Sequence, residues 1–439
     1  WTFYGAVGTA ARTGLGFLPI YLGPLLLLLF AWRILERLVL VSAEHRIVSI
    51  ADFLSSRYGR APGLAALVAT LALVAAVPYV ALQFKAVAMS VEVLAPGSDA
   101  QLFGDPALYV ALLLAVFAIL FGTRAIDATE HHRGMVMAVA LESLVKLVAF
   151  IAIGVLALLH LPGIGGLGER VVQAAQVVTE PGIPAGFVAQ TLLAFTAIIC
   201  LPRQFHVAVV ECQDSADIRP ARWLFGGYLV VFSLFVVPIA MTGEAMLTGQ
   251  GISPDTYVLA LPLAMDQETL ALIAYIGGFS AATGMVIVAS VALATMVSND
   301  LVMPLLLRKG VLSERASIDR QVLWVRRATI LALALMAYAY HRGAAAAGDS
   351  LAQHGLLAFA AVAQFAPPLI GGLYWRGASR SGAFAGVLAG ALTWLYTLLL
   401  PALANAGWFS NAWVHAGPFD IAWLRPQQLF GLTGWDPLT

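Results

Sequence analysis

Eleven apolar segments follow one another along nearly the whole chain of 439 residues. A helix needs about 20 consecutive apolar residues to cross the hydrocarbon core of a bilayer, and most of these segments reach that length. The composition agrees, since 61% of the residues are hydrophobic and only 11% are charged, against about 25% charged in a typical soluble domain. The sequence therefore predicts an all-α membrane protein with about 11 transmembrane segments. The predicted segments are 1–14 (a truncated helix), 18–41, 62–94, 106–122, 134–160, 186–205, 223–247, 267–297, 322–341, 351–375 and 382–402.

Positive charge is distributed unevenly between the two sides of this arrangement. Of the 24 Lys and Arg residues, Lys85 and Lys146 lie within helices and four lie on one side, so the other side holds the remaining 18. We call that side the arginine-rich side. The positive-inside rule makes it the cytoplasmic side of a multi-pass membrane protein. The four residues on the opposite side are Arg12, Arg170, Arg342 and Arg425.

The first ten segments divide into two groups of five. An odd number of spans in each group gives the two groups opposite orientations, as in transporters built from inverted repeats. We therefore expect an inverted five-helix repeat followed by one added helix and an outer interfacial tail with several tryptophans. The expected boundaries are 1–160 for the first repeat, 161–185 for an outer loop, 186–375 for the second repeat, 376–402 for the added helix and 403–439 for the tail.

Each repeat has an interruption near its first helix. Gly5 and Gly8 fall in the aromatic stretch 1–8, and Pro202 interrupts the apolar run that ends near residue 205. Unwound backbone at membrane depth is tolerated only where it is buried in protein or lines a cavity. Paired interruptions in corresponding positions are the usual sequence indication of a transporter's binding site.

Several motifs resemble the sodium/solute symporter family, whose members have the LeuT-type fold. Three further stretches, 122–130, 202–206 and 280–285, resemble one branch: symporter-like N-terminal domains of bacterial sensor histidine kinases. The resemblance implies that kinase domains and, through them, a response regulator are partners of the full protein. The motifs shared with the wider family are 1–8, 17–24, 49–59, 81–86 and 298–301.

The family's main sodium site departs from its usual pattern here. By resemblance, backbone carbonyls of the broken first helix and Ser or Thr hydroxyls of the eighth core helix bind the ion. The hydroxyl positions fall on Gly284 and Met285, which offer no side-chain oxygen, whereas Phe3 and Ala281 match backbone donors. Ser280 and Thr283 lie one residue out of register and could substitute. The sequence therefore leaves three alternatives open: coupling to sodium, coupling to a proton, or no coupling ion. We expect no other cofactor.

Lys146 lies near the middle of the fifth segment, where a cationic side chain is rare and usually functional. Glu142 precedes it by four residues, the favourable order for an ion pair on a helix. Either the two charges only neutralise each other, or the pair supplies a titrating group in place of the sodium ion. A proton-coupled relative in this fold class is known to place a lysine there.

The solute site is expected between the first, third, sixth and tenth helices. Tyr79 and Gln83 share one face of the third helix, and both are predicted to face the cavity rather than to form only interhelical hydrogen bonds. Arg203 and His206 could hold an anionic group, although Arg203 also fits the role of an interfacial anchor. By resemblance, the remaining candidates are Phe3, Tyr4, Phe195 and Gln364, for which core packing is the alternative.

No enzymatic activity is predicted, because the sequence has no catalytic triad, paired catalytic carboxylates or phosphate loop. Glu130, His131 and His132 are neighbours that point about 100° apart on a helix, so we predict no metal site. The zero net charge indicates no nucleic-acid partner. The predicted function is binding and translocation of a small solute, a carboxylate or an amino acid, by alternating access. A receptor that binds without net transport and a simple membrane anchor are the alternatives.

Overall fold

The computed structural model describes residues 2–94, 105–122, 133–161, 163, 166–179, 182–308, 315–345 and 351–431. These residues form helices and connections and contain no strand. The helices are α1 (Gly5–Thr13), α2 (Pro19–Phe30), α3 (Trp32–His45), α4 (Ile50–Arg57), α5 (Pro62–Leu94), α6 (Pro106–Gly122), α7 (Arg133–Leu159), α8 (Leu167–Thr179), α9 (Phe187–Cys200), α10 (Pro202–Phe205), α11 (Ile218–Leu247), α12 (Tyr257–Ala264), α13 (Glu268–Met296), α14 (Met303–Arg308), α15 (Arg315–Ala345), α16 (Leu351–Ala363), α17 (Ala366–Tyr374), α18 (Arg380–Trp394), α19 (Leu400–Asn405) and α20 (Ala412–Ala416).

The described part of the chain contains seven helical segments that are long and apolar enough to cross a membrane. Two bent helix pairs raise this number to as many as nine, and the short apolar helix Ala107–Leu120 adds to them. The prediction of an all-α, multi-pass membrane protein is therefore confirmed. The structure does not test the predicted domain boundaries. Glu130, His131 and His132, for which no metal site is predicted, lie outside the described residues.

Several predicted segments have different bounds in the structure, and two of them illustrate the reasons. The segment expected over 18–41 is divided at Ala31, where α2 ends and α3 begins. The segment expected over 267–297 continues as a wide turn of helix over Val297–Val302 and then as α14. Hydropathy ends that segment at the polar residues Asn299 and Asp300, but the helix persists because its backbone hydrogen bonds do not depend on side-chain polarity.

The second interruption is a bend between α9 and α10. Leu201 has extended backbone angles, as expected for a residue that precedes proline, and Pro202 then occupies the first turn of α10, where its missing N–H costs nothing. The two helices meet at 49°. At the first interruption, Thr2–Tyr4 form a turn and α1 begins at Gly5, whereas Gly8 lies inside α1. The helical stretch from Gly5 to Phe17 meets α2 at 60°.

Close helix packing holds these interrupted elements in place. A Cβ added to Gly23 of α2 would lie 2.5 Å from the backbone nitrogen of Phe195 in α9, so the two backbones touch. On the other side of the bundle, α7 packs against α11 and α13. Phe150 of α7 stacks on Phe232 of α11 with ring centroids 4.5 Å apart, and both rings are buried. The start of α1 and the bend at Pro202 therefore lie within a packed frame.

Candidate functional site

A cavity of about 950 Å³ lies within the bundle. Its wall includes residues between Val136 and Lys146 in the first half of α7. It also includes Asp217, just before α11, and residues between Ile218 and Leu229 at the start of α11. Both helices begin on the arginine-rich side. At that end the lining residues Met137, Gln213 and Asp217 are exposed, whereas Phe3 and Gln83 deeper in the bundle are buried. The cavity therefore extends from the helix interruptions to the arginine-rich side.

Five polar side chains from three elements line the deep part of this cavity. Tyr79 and Gln83 come from α5, Glu142 and Lys146 from α7, and Arg203 from α10. Tyr79 and Gln83 are one helical turn apart and therefore share a face. The structure thus brings together four of the sequence-predicted residues and adds Arg203 to them.

Glu142 and Lys146 form an ion pair, with the Lys146 Nζ atom 3.7 Å from the Glu142 Oε1 atom. Only 7% of the Glu142 side chain and 15% of the Lys146 side chain are exposed. The other carboxylate oxygen, Oε2, would lie 1.8 Å from a Cβ added to Gly284 of α13. Gly284 is the position where the symporter pattern has a hydroxyl residue. In this chain the Glu142 carboxylate fills the space that such a side chain would need.

Arg203 turns toward the cavity because Pro202 starts a new helical turn at the bend. Its guanidinium lies beside the Tyr79 hydroxyl and within electrostatic range of Glu142 and Lys146. Its Nε atom is buried and has no hydrogen-bond partner among the described residues. The sequence alone leaves Arg203 open between an interfacial anchor and a binding group, and the structure places it in the wall. His206, by contrast, lies 3.2 Å from Glu211 and does not line the cavity.

Two backbone positions of the sodium/solute symporter pattern border the cavity. Phe3 and Ala281 both line it, together with Met285 at the second hydroxyl position. Tyr4 lies behind Phe3, with the two rings edge to face at 4.9 Å, and its hydroxyl contacts Gly278, where a Cβ would lie 2.0 Å away. Tyr4 therefore supports the wall without contributing to it.

Four other candidate residues are not among the residues that line the cavity. The Phe195 side chain packs against the hydrophobic core around α2, α5 and α9. Gln364 follows the end of α16, and its amide oxygen contacts Gly390 of α18. Ser280 and Thr283 donate hydrogen bonds to the Gly277 and Phe279 carbonyls of their own helix, at 3.1 and 2.8 Å.

The opposite end of the bundle contains an ion pair that the sequence analysis does not anticipate. Arg12 of α1 donates a hydrogen bond of 2.6 Å to Asp255, which is 3% exposed. The second Asp255 carboxylate oxygen accepts from the Leu351 backbone N–H of α16. A Cβ on Gly8 would lie 1.8 Å from Asp255 Oδ1. The signal in the sequence is that Arg12 is one of only four cations on its side, with an acidic residue in a short loop of that side.

Similar proteins were sought by sequence and by structure. No family model and no curated protein sequence matches this chain. A solved structure described as the substrate-bound outward-open state of a Na⁺-coupled sialic acid symporter is similar to it, with a TM-score of 0.56 over 93% of this chain and 86% of that one. The two sequences are 13% identical. This chain has the fold of that symporter. The LeuT-type, all-α architecture is thereby shown.

Replacing Gln83 by alanine is expected to weaken solute binding without unfolding the protein. A buried amide that bonds a ligand contributes roughly 1–1.5 kcal/mol, which is about a tenfold change in affinity. The thermal midpoint of the unliganded variant and the solute concentration that gives half of the maximal thermal shift measure the two effects. Gln250→Ala, an exposed residue at the end of α11, is the control. Unchanged affinity in a folded Gln83 variant would remove this residue from the site.

Proposed function

We propose that this chain binds a small polar solute in the cavity and translocates it across the membrane by alternating access. The main support for the proposal is a cavity that reaches one side of the bundle only. Its polar groups are concentrated where one helix begins at Gly5 and another bends at Pro202. Backbone N–H and C=O groups that lose their helical partners at such breaks need other hydrogen-bond partners. Each such group costs on the order of several kcal/mol when it is left unsatisfied in lipid. A polar solute can supply them. The fold shared with a symporter supports the same function.

The two ends of the cavity suggest how access alternates. In the described state, Arg12 and Asp255 tie α1 to the loop before α12, and the cavity is open on the arginine-rich side, which we assign to the cytoplasm. Opening on the other side requires α1 to separate from Asp255 and the first part of α11 to close toward α7. Movement around Gly5 and Pro202 would accomplish this, because regular hydrogen bonding is already interrupted there.

Coupling to an ion is proposed to depend on Glu142 and Lys146 rather than on a sodium shell. Gly284 and Met285 provide no hydroxyl, and Ser280 and Thr283 donate to their own helix. A titratable pair buried against Gly284 can gain or lose a proton as the bundle rearranges. Proton coupling therefore fits these side chains better than sodium coupling.

A carboxylate-bearing solute, either a short organic acid or an amino acid, best fits the cavity wall. Glu142 and Lys146 neutralise each other, which leaves Arg203 as the uncompensated charge among the five polar residues of the deep part. Arg offers a planar pair of N–H donors that matches a carboxylate. The Tyr79 hydroxyl beside it can donate a further hydrogen bond.

In the full protein, we propose that solute occupancy controls a sensor histidine kinase and, through it, a response regulator in a bacterial inner membrane. Only the sequence motifs support this regulatory role. The missing sodium hydroxyls favour a second candidate, a receptor that binds the solute without net transport. Both candidates require a solute in the same cavity and differ only in whether it crosses the membrane.

A panel of solutes tests the proposal in two steps. The purified chain is screened by thermal shift against short carboxylates, the corresponding amides and amino acids, and the solute with the largest shift is then supplied radiolabelled to proteoliposomes. We expect accumulation that is absent from protein-free vesicles. A thermal shift without uptake would favour the receptor, and no shift with any solute would contradict the binding function.

Cys212 provides a native reporter of the cavity. It lines the cavity and is partly exposed, whereas Cys200 is fully buried. We expect a polar thiol reagent to label Cys212 and the solute to slow this labelling. Burial and the nearby carboxylates of Asp217 and Asp214 raise the pKa of the Cys212 thiol, so the rate should increase about tenfold per pH unit while the thiol stays protonated.

The variant Cys212→Ser is the control for labelling at Cys200. Labelling that persists in this variant would show that Cys200 reacts and would contradict its burial. Labelling of Cys212 that the solute leaves unchanged would show that the solute does not occupy the described cavity.

A further inference from the structure

Three arginines surround one tryptophan at the arginine-rich end of the bundle. The guanidinium carbons of Arg33, Arg219 and Arg222 lie 5.8, 5.9 and 4.6 Å from the ring centroid of Trp32. Arg222 also lies 5.1 Å from the ring of Trp223 and is thus in contact range of two indoles. We call these five residues the Trp32 patch. Cation–π attraction favours each contact, but it also gathers three like charges around one side chain.

The Trp32 patch adjoins an apolar surface. Phe30, the last residue of α2, is 80% exposed, and Trp223 and Leu224 at the start of α11 are 62% and 76% exposed. α2 and α11 pack side by side, and α3 contacts both helices. Cationic and large apolar side chains therefore meet where membrane-crossing helices end, which is the depth of lipid headgroups.

Nearby acidic groups compensate these charges only in part. Glu36 is 3.9 Å from Arg219 in a pair whose arginine side chain is 70% exposed, and such exposed pairs are weak. Asp217 is exposed two residues before Arg219. The Nε atom of Arg222 is buried and has no hydrogen-bond partner within the described part of the chain. The patch therefore keeps a net positive charge and an unused buried donor.

We propose that the Trp32 patch binds the phosphate headgroup of an anionic phospholipid. The guanidiniums supply charge-assisted donors for phosphate oxygens, and basic pockets between helices on the cytoplasmic side are typical sites for acidic lipids. The exposed side chains of Phe30, Trp223 and Leu224 lie where the acyl chains of such a lipid would run. A free phosphate would use only the arginines and leave this apolar surface uncovered.

A lipid bound at the Trp32 patch would also affect how the cavity opens. Arg222 and Asp217 belong to the cavity wall as well as to the surroundings of the patch. A headgroup that bridges α3 and the start of α11 would hold the first part of α11 away from α7. We therefore expect the lipid to favour the state that is open on the arginine-rich side.

Lipid titration of the purified full chain tests this site. Phosphatidylglycerol, phosphatidylcholine and soluble glycerol phosphate are each added to the protein in detergent, and binding is followed by native mass spectrometry and thermal shift. We expect phosphatidylglycerol to bind and to raise the midpoint, and the other two to do neither. Arg33→Gln and Arg219→Gln, both at exposed positions, should each weaken binding roughly fivefold, as expected for one arginine at a lipid surface.

Arg320→Gln removes an exposed arginine on the same side from α15, which packs mainly against α5, α6 and α13, and should leave lipid affinity unchanged. Equal binding of phosphatidylcholine, or equal loss in the Arg320 variant, would show that lipid contact is not specific to the patch. Equal binding of glycerol phosphate would assign the arginines to a soluble anion and overturn the lipid site.

Discussion

Replacing Lys146 by methionine is expected to destabilise the protein by about 3–5 kcal/mol, because it leaves the buried Glu142 carboxylate without its cation. Both side chains are largely buried, and Gly284 blocks one route by which Glu142 could move away. Chemical unfolding of the reconstituted chain measures the change in the free energy of unfolding. A further loss is expected in function, since the variant removes the proposed proton-coupling group.

The double variant Glu142→Gln and Lys146→Met separates lost charge pairing from altered packing. Removing both charges leaves no unpaired ion, so we expect the double variant to recover most of the lost stability. Equal destabilisation of the Lys146→Met variant and the double variant would show that the loss does not come from an unpaired Glu142 charge.

Glu142 and Lys146 also determine which ion solute binding or uptake should depend on. Solute binding or uptake is expected to change little when sodium replaces another monovalent cation at fixed pH and ionic strength, and to depend on pH. In the double variant the pH dependence should disappear while solute binding persists. Steep sodium dependence would contradict proton coupling and would indicate that Ser280 and Thr283 turn away from their own helix to bind the ion.

Hydropathy and helical periodicity predict much of this architecture and part of its site. Apolar length identifies the membrane helices, and a proline after an apolar run identifies the bend at Pro202. The four-residue spacing of Tyr79 and Gln83 predicts that both lie on one face, because residues one turn apart share a face whatever the helix packs against. Both residues line the cavity in the structure.

The rotation of a helix about its own axis is not contained in its own sequence. Gln364 directly follows α16, which borders the cavity through Phe359, yet its amide contacts Gly390 of α18. Arg203 satisfies the positive-inside rule equally well in the wall or at the surface, and only the bend at Pro202 decides between them. The contact between Glu142 and Gly284 depends on how two distant helices cross, which spacing along one helix cannot reveal.

Replacing Gly8 by alanine is expected to open the side of the protein that Arg12 and Asp255 close. The added Cβ would lie 1.8 Å from Asp255 Oδ1 and 2.9 Å from the Asp255 Cα, so both the side chain and the backbone must move. Losing a hydrogen bond between charged groups removes about 1.5–3 kcal/mol from the closed state. Such a loss changes the ratio of the two conformations roughly 10- to 100-fold.

Cys212 reports this shift, because a population that opens on the side of Asp255 closes the cavity on the arginine-rich side. Labelling of Cys212 in the Gly8 variant should therefore slow at least several-fold. Gly227→Ala is the matched control: Gly227 also lies within a helix, and a Cβ there would meet nothing within 4 Å, so its labelling rate should equal that of the parent chain. Asp255→Asn should slow labelling in the same direction as Gly8→Ala, since it removes the charge without adding volume. If Cys212 reacted at the parent rate in both variants, closure by Arg12 and Asp255 would not be linked to opening on the arginine-rich side.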